Sequence, residues 1–264
     1  MSKWQNFENK CKEYLDSQYG KYAKFSLEGG SNANISDIAV KTKSNRKFYI
    51  EVKHCPAQCG QFVLLPDVEK RKFIYSSKNA PELNENSELI AEYMNDSFDE
   101  FLSAGTTGKY IDMENGSKIF ADWIIQSYQN KQAEYIITND FIIFPIEKIG
   151  QYFDITAKYR IKRSGSGTVG KKNIKAVSEY IKQNYNINSV EMLGKKFFVN
   201  SSAPMSNIRF TIGENEYMFS LRDENYYEIR RLSNTFNANV IFSVKIKNNQ
   251  QGMSRQEFIS VLEN

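Results

Sequence analysis

The sequence predicts an α/β layered core over residues 1–153, followed over residues 154–264 by a basic loop and a β-rich region. Three observations carry this. Segments of helical period alternate with short β-type segments through the first 153 residues. After residue 185 the segments are short and rich in β-formers, with Asn, Gly and Ser between them. The chain, 264 residues and 41% hydrophobic, is long enough to bury a sizeable core, in one continuous domain or in two.

Trp4, Phe7, Cys11, Tyr14 and Leu15 recur mostly at steps of three and four, so residues 3–19 are predicted as an amphipathic helix, with Gly20 as its stop. Short strands follow at 23–27, 37–42 and 47–53. Gly29 and Gly30 mark the first break, and Ser44 with Asn45 the second. Helices are predicted at 87–102 and 118–130. Strands at 135–138 and 141–144 are split by Asn139-Asp140, and Pro145 opens a helical turn. Residues 162–170 read as a basic Ser/Gly loop, and 172–185 as a helix. Strands are then predicted at 196–199, 209–212, 217–221, 226–232 and 239–246. Ser254 and Glu257 have the spacing of a capping box that opens a last helix.

Net charge is only +4, but the charges are segregated. Residues 81–101 hold seven acids and no Lys or Arg, while residues 155–175 hold seven bases and no acid. A protein that meets a polyanion concentrates positive charge on one face; two solvated faces give the same pattern. Three cysteines cannot all pair within the chain, which points to a reducing compartment. The first residues lack an apolar signal core, and no apolar run nears the roughly 18 residues that a membrane span needs. The expectation is a cytoplasmic protein without membrane contact.

An acid–x–Lys pattern occurs twice, at Glu8-Asn9-Lys10 inside the first helix and at Glu51-Val52-Lys53 in a hydrophobic strand. Strand alternation places Tyr49, Glu51 and Lys53 on one face, and Phe48, Ile50 and Val52 on the core face. Antiparallel pairing with the preceding strand brings the Asp37 carboxylate alongside Glu51. Two carboxylates and an amine at one sheet edge are what a metal-assisted phosphodiester hydrolysis requires: oxygen ligands for a hard cation and a group to manage water. A half-exposed strand with a surface Glu–Lys pair is the bland alternative.

Asp37 followed by Glu51-x-Lys53, after a helix that carries Phe7-Glu8, resembles the PD-(D/E)xK nuclease superfamily, with Ser36 in place of the motif's Pro. The strings GQFVLLP (60–66), FIIFPIE (141–147), YRIKRSGS (159–166) and LSNTFNANVIFS (232–243) are similar to the HhaI-type restriction endonucleases. The resemblance implies a mixed sheet flanked by helices in the catalytic core. It further implies a type II, Mg2+-dependent enzyme cutting double-stranded DNA at GCGC, alongside a cognate methyltransferase that it does not contact, in a prokaryotic cytoplasm. By that resemblance Asp37, Glu51 and the Val52 carbonyl ligate Mg2+, and Lys53 orients or deprotonates the attacking water. Glu8 is the matching position for an accessory acid, but a surface helix residue is the preferred reading.

Gln61, just after the motif strand, is a candidate phosphate or water contact, or simply a turn amide. For DNA contact the candidates are Arg160, Lys162, Arg163, Ser164, Lys171 and Lys172 in the basic stretch. Arg230, Arg231, Asn234 and Asn237 join them near a later strand, since Arg and Lys read guanine and Asn suits base edges. His54, Cys55 and Cys59 offer only three zinc ligands in one turn, without the usual paired spacing, so packing of His54 against the core is preferred. A repair or junction-resolving nuclease of the same superfamily and a non-catalytic DNA-binding protein are the rival readings. A palindromic target is compatible with a monomer or a homodimer.

Overall fold

In the computed structural model, which describes residues 3–28, 35–79, 81–163, 165–233 and 236–264, the chain divides into two units. One is Met1–Arg160 with Ala238–Asn264, and the other is Ile161–Asn237. The division drawn from sequence at 153/154 put everything beyond it into one region. The structure instead returns the last strand and helix to the first unit. The reason is apolar: Phe242 stacks on Trp123 at 4.3 Å, and Phe258, Ile259 and Leu262 belong to the core formed with the N-terminal helix.

The first unit runs α1 (Lys3–Tyr19), β1 (Ala23–Leu27), β2 (Ile38–Thr42), β3 (Lys47–Val52), β4 (Ala57–Asp67), β5 (Lys72–Tyr75), α2 (Glu85–Asp96), α3 (Phe98–Leu102), β6 (Lys109–Tyr110), α4 (Gly116–Gln129), β7 (Ala133–Ile137), β8 (Ile143–Pro145), α5 (Ile149–Tyr152) and β9 (Phe153–Arg163). The second contributes β10 (Ser166–Thr168), α6 (Ile174–Asn184), β11 (Ser189–Leu193), β12 (Lys196–Asn200), β13 (Arg209–Ile212), β14 (Asn215–Asp223) and β15 (Tyr226–Leu232). The chain closes with β16 (Phe236–Ile246) and α7 (Arg255–Glu263), whose Ser254 and Glu257 form the expected capping box.

In the first unit β1-β2-β3-β7-β8 form one mixed sheet, with β3 and β7 parallel and the other neighbours antiparallel. Cys11, Leu15 and Tyr19 of α1 pack with Phe258, Ile259 and Leu262 of α7 against Phe48, Ile50 and Val52. Trp4 stays 51% exposed, so the apolar stripe of α1 starts later than its sequence period implies. The opposite face of β3 is covered as well, because Tyr128 at the end of α4 reaches Glu51. The half-exposed strand with a surface Glu–Lys pair, the alternative reading, is therefore not what forms: from Phe48 to Val52 the strand is buried.

A second sheet of this unit has the order β5-β4-β16-β9-β6. Its β4–β5 hairpin was not predicted. Gly60 sits at φ +115°, where β4 changes register against β16, and the bulge absorbs it. The helix expected at 87–102 is broken at Ser97, whose ψ of 42° is not helical.

In the second unit β11-β12-β15-β14-β13 form an antiparallel sheet, and β10 also pairs with β15. Val177 and Ile181 of α6 are buried in its core with Phe197, Phe219 and Ile229. The expected basic loop at 162–170 is largely strand: β9 runs to Arg163, and Ser166–Thr168 lies along β15. Glu228, with a side chain 1% exposed, accepts from Arg222 Nε at 2.8 Å and from Arg230 Nη1 at 2.9 Å. Burial alone would raise its carboxyl, but the hydrogen bonds from Arg230 and Arg222 outweigh this and hold it below the ordinary glutamate value. A carboxyl lowered on folding stabilises above its unfolded value and ceases to do so as pH falls through its folded one. Glu228→Gln is expected to cost the second unit about 2–3 kcal/mol at pH 7, with the gap to the parent closing in acid. Denaturation of the two proteins followed at pH 7 and pH 3 checks this.

Candidate active site

Cross-strand register builds the site. Ile38 lies opposite Ile50, so Asp37, one residue ahead of β2, comes level with Glu51. Its Oδ2 accepts from the backbone N–H of Val52 at 2.8 Å, which fixes the carboxylate at the end of β3. Lys53 continues beyond β3, its own N–H donating to the Ile137 carbonyl at 2.9 Å. From there its ammonium donates to Glu51 Oε1 at 2.6 Å. Asp37, Glu51, Val52 and Lys53 are thus brought together as the strand pattern predicts.

The electrostatics are those of like charges in a poorly solvated place. Burial first, and then the Glu51 charge, push the Asp37 carboxyl up to about 7 against the opposing pull of the Val52 N–H. Glu51 is 8% exposed, and burial would raise it too. The Lys53 ammonium reverses that and holds Glu51 below the ordinary carboxylate range, with help from Lys131. Burial likewise works against the Lys53 charge, and Glu51 outweighs it, so Lys53 is held above the ordinary lysine value. Glu8 feels the same cluster: burial and Glu51 raise it and Lys53 lowers it.

Two carboxylates share one ammonium, which sits on Glu51, and a cation would relieve the repulsion that raises Asp37. Among the described residues no group of three or more His, Cys, Asp or Glu is placed to hold a metal ion. A cation here would therefore rest on Asp37 and Glu51 and complete its shell with neutral oxygens such as the Val52 carbonyl. Such an all-oxygen donor set fits a hard divalent ion, Mg2+ above all. The cysteines do not compete for that role, because Cys11 and Cys55 are buried and their thiols are pushed up to about 12 and about 11.

The remaining candidates are dispersed. Gln61 is exposed on β4 and accepts from Gln58 Nε2 at 3.0 Å rather than meeting the carboxylates. Arg160 has a buried Nε without a hydrogen-bond partner among the described residues. In the second unit Lys162, Lys171, Lys172, Arg231 and Asn237 are exposed. Arg230 is engaged within its sheet by Glu228 and by the Ser166 hydroxyl and carbonyl. Ser164, Asn234 and the side chain of Arg163 lie outside the described residues. His54 is exposed, contrary to the core packing expected for it, with its ring edge-on to Phe7 at 5.1 Å.

Of two further neighbours of the site, Tyr128 has no signal in the local sequence and Ser36 stood out only as the residue in the motif's Pro position. The Tyr128 hydroxyl donates to Glu51 Oε1 at 3.2 Å and accepts from the Cys59 thiol at 3.6 Å. The Ser36 hydroxyl, fully buried, lies near enough to favour the charged form of Glu51 without making an aligned hydrogen bond among the described residues.

No protein-family model and no curated protein matches the chain. Among solved structures it is similar to HhaI endonuclease in complex with DNA, with 34% identity and a TM-score of 0.79 over 100% of both chains.

Proposed function

The chain belongs to the HhaI-type restriction endonucleases, and from that premise we propose that it hydrolyses double-stranded DNA at GCGC with Mg2+. The products are a 5′-phosphate and a 3′-hydroxyl. The observation that carries this reading is the meeting of Asp37, Glu51 and Lys53 at one end of β3, with Lys53 Nζ 2.6 Å from Glu51.

Asp37, Glu51 and the Val52 carbonyl would hold the ion. When bound, Mg2+ supplies a Lewis acid for the phosphate oxygens and acidifies a water. The Lys53 ammonium, braced against Glu51, orients the attacking water opposite the leaving 3′ oxygen and offsets charge gathering on the phosphate. The Val52 N–H keeps Asp37 from rotating away from the shared site. Exposed Lys162, Lys171, Lys172 and Arg231 supply positive charge for the DNA backbone. Arg160, Arg163, Ser164, Asn234 and Asn237 are the remaining DNA-contact candidates, and Gln61 stays a candidate for a phosphate or water. In a prokaryotic cytoplasm a cognate methyltransferase shields the host's own sites without touching this chain.

Incubating a plasmid with protein and Mg2+, then sequencing the fragment ends, tests the proposal. Discrete fragments that all end within GCGC are the expected result. Cutting only at branched structures would favour a junction-resolving nuclease, and binding without any cutting would favour a non-catalytic DNA-binding protein.

A further inference from the structure

Among the described residues two hydrogen bonds reach the Glu51 side chain, and both land on the same oxygen. Lys53 Nζ donates to Oε1 at 2.6 Å, and the Tyr128 hydroxyl donates to Oε1 at 3.2 Å. No hydrogen bond among the described residues reaches Oε2, and that atom is not among the sealed-off polar atoms that lack a partner. Tyr128 is itself 3% exposed near the end of α4, so it cannot touch a substrate. Its hydroxyl is oriented from behind: the Cys59 thiol donates to it at 3.6 Å, which leaves the phenolic proton for Glu51. The ring is held in place by its position on α4 and by Lys131, whose ammonium lies 5.4 Å from the ring centroid.

We propose that Tyr128 is a positioning residue that, with Lys53, pins Glu51 Oε1 and so turns Oε2 outward as the oxygen offered to the divalent ion. The inference rests on the nuclease reading above and adds a residue from α4 to it. Carboxylate ligands are commonly oriented in this way by a second hydrogen bond, whose loss costs about 10–100-fold in metal affinity or activity.

Tyr128→Phe keeps the ring and removes only the hydroxyl. Mn2+ binding to the DNA-free protein, followed by electron paramagnetic resonance, is expected to weaken about tenfold. The kcat for DNA cleavage is expected to fall by a similar factor, with KM for DNA unchanged because the side chain is buried. Trp123→Phe serves as the companion: it loosens the same helix without reaching Glu51, and is expected to leave Mn2+ affinity within twofold. If Tyr128→Phe stays within twofold of the parent on both Mn2+ affinity and kcat, or if Trp123→Phe weakens Mn2+ equally, the positioning role is wrong. A parent protein that neither binds Mn2+ nor cuts DNA overturns the nuclease reading, and this inference with it.

Discussion

The Asp37→Asn protein is expected to melt at a higher temperature than the parent in EDTA, and to cut DNA at least about a thousandfold more slowly with Mg2+. The two effects have one origin. Burial and the neighbouring Glu51 charge raise the Asp37 carboxyl to about 7. A carboxyl raised on folding binds its proton more tightly in the folded state, so its ionisation opposes folding. The parent should therefore lose stability as pH rises from about 4 to about 7, and keep that deficit above it. Asn accepts from the Val52 N–H as Asp does, carries no charge, and escapes the deficit, a gain of up to about 4 kcal/mol at pH 8. The amide is also a poor partner for a divalent cation. Losing one of two anionic ligands removes several kcal/mol of transition-state stabilisation, and each 1.36 kcal/mol is tenfold in rate. Thermal melts across pH 4–8 in EDTA, paired with single-turnover cleavage, check both halves. A protein that loses activity and stability together would point to a structural role for Asp37.

Gly60→Ala carries the largest expected cost to the fold. Gly60 sits at φ +115°, a backbone region that L side chains rarely adopt, and an added Cβ would lie 2.7 Å from Cζ3 of Trp123. Trp123 has nowhere to retreat: it is 1% exposed, stacks on Phe242 at 4.3 Å and faces Phe62 at 5.4 Å. Backbone strain and overpacking together are worth about 2–4 kcal/mol. The penalty falls where β4, α4 and β16 meet, so equilibrium denaturation should show a lower midpoint for the Ala variant. A change within experimental error would mean that the bulge at Gly60 can relax.

The cluster of Asp37, Glu51 and Lys53 was legible in the sequence because it is local. Asp37, Glu51 and Lys53 lie within seventeen positions on neighbouring strands, and a period of two fixes which face each takes. Strand bounds at 23–27, 209–212 and 226–232 were legible for a similar reason, since turn residues flank runs of β-formers. What escaped depends on distant chain. Tyr128 meets Glu51 across 77 positions of chain, and nothing around residue 128 announces a hydroxyl needed there. The β4–β5 hairpin was hidden because a bulge glycine looks like a breaker until its strand neighbours are known. Arg230 looked like a free cation, yet its partners are Glu228, two residues earlier on its own strand, and Ser166 on another. The return of β16 and α7 to the first unit is likewise a property of packing, visible only when Phe242 is found against Trp123.

Anomalous scattering from a crystal grown with Mn2+ in place of Mg2+ tests the arrangement most directly. One peak bridging the Asp37 carboxylate and Glu51 Oε2, with Lys53 still on Oε1, is the result that two carboxylates pinned in this way require. A peak at the cysteines, or none near β3 when the protein is cutting DNA, would contradict it.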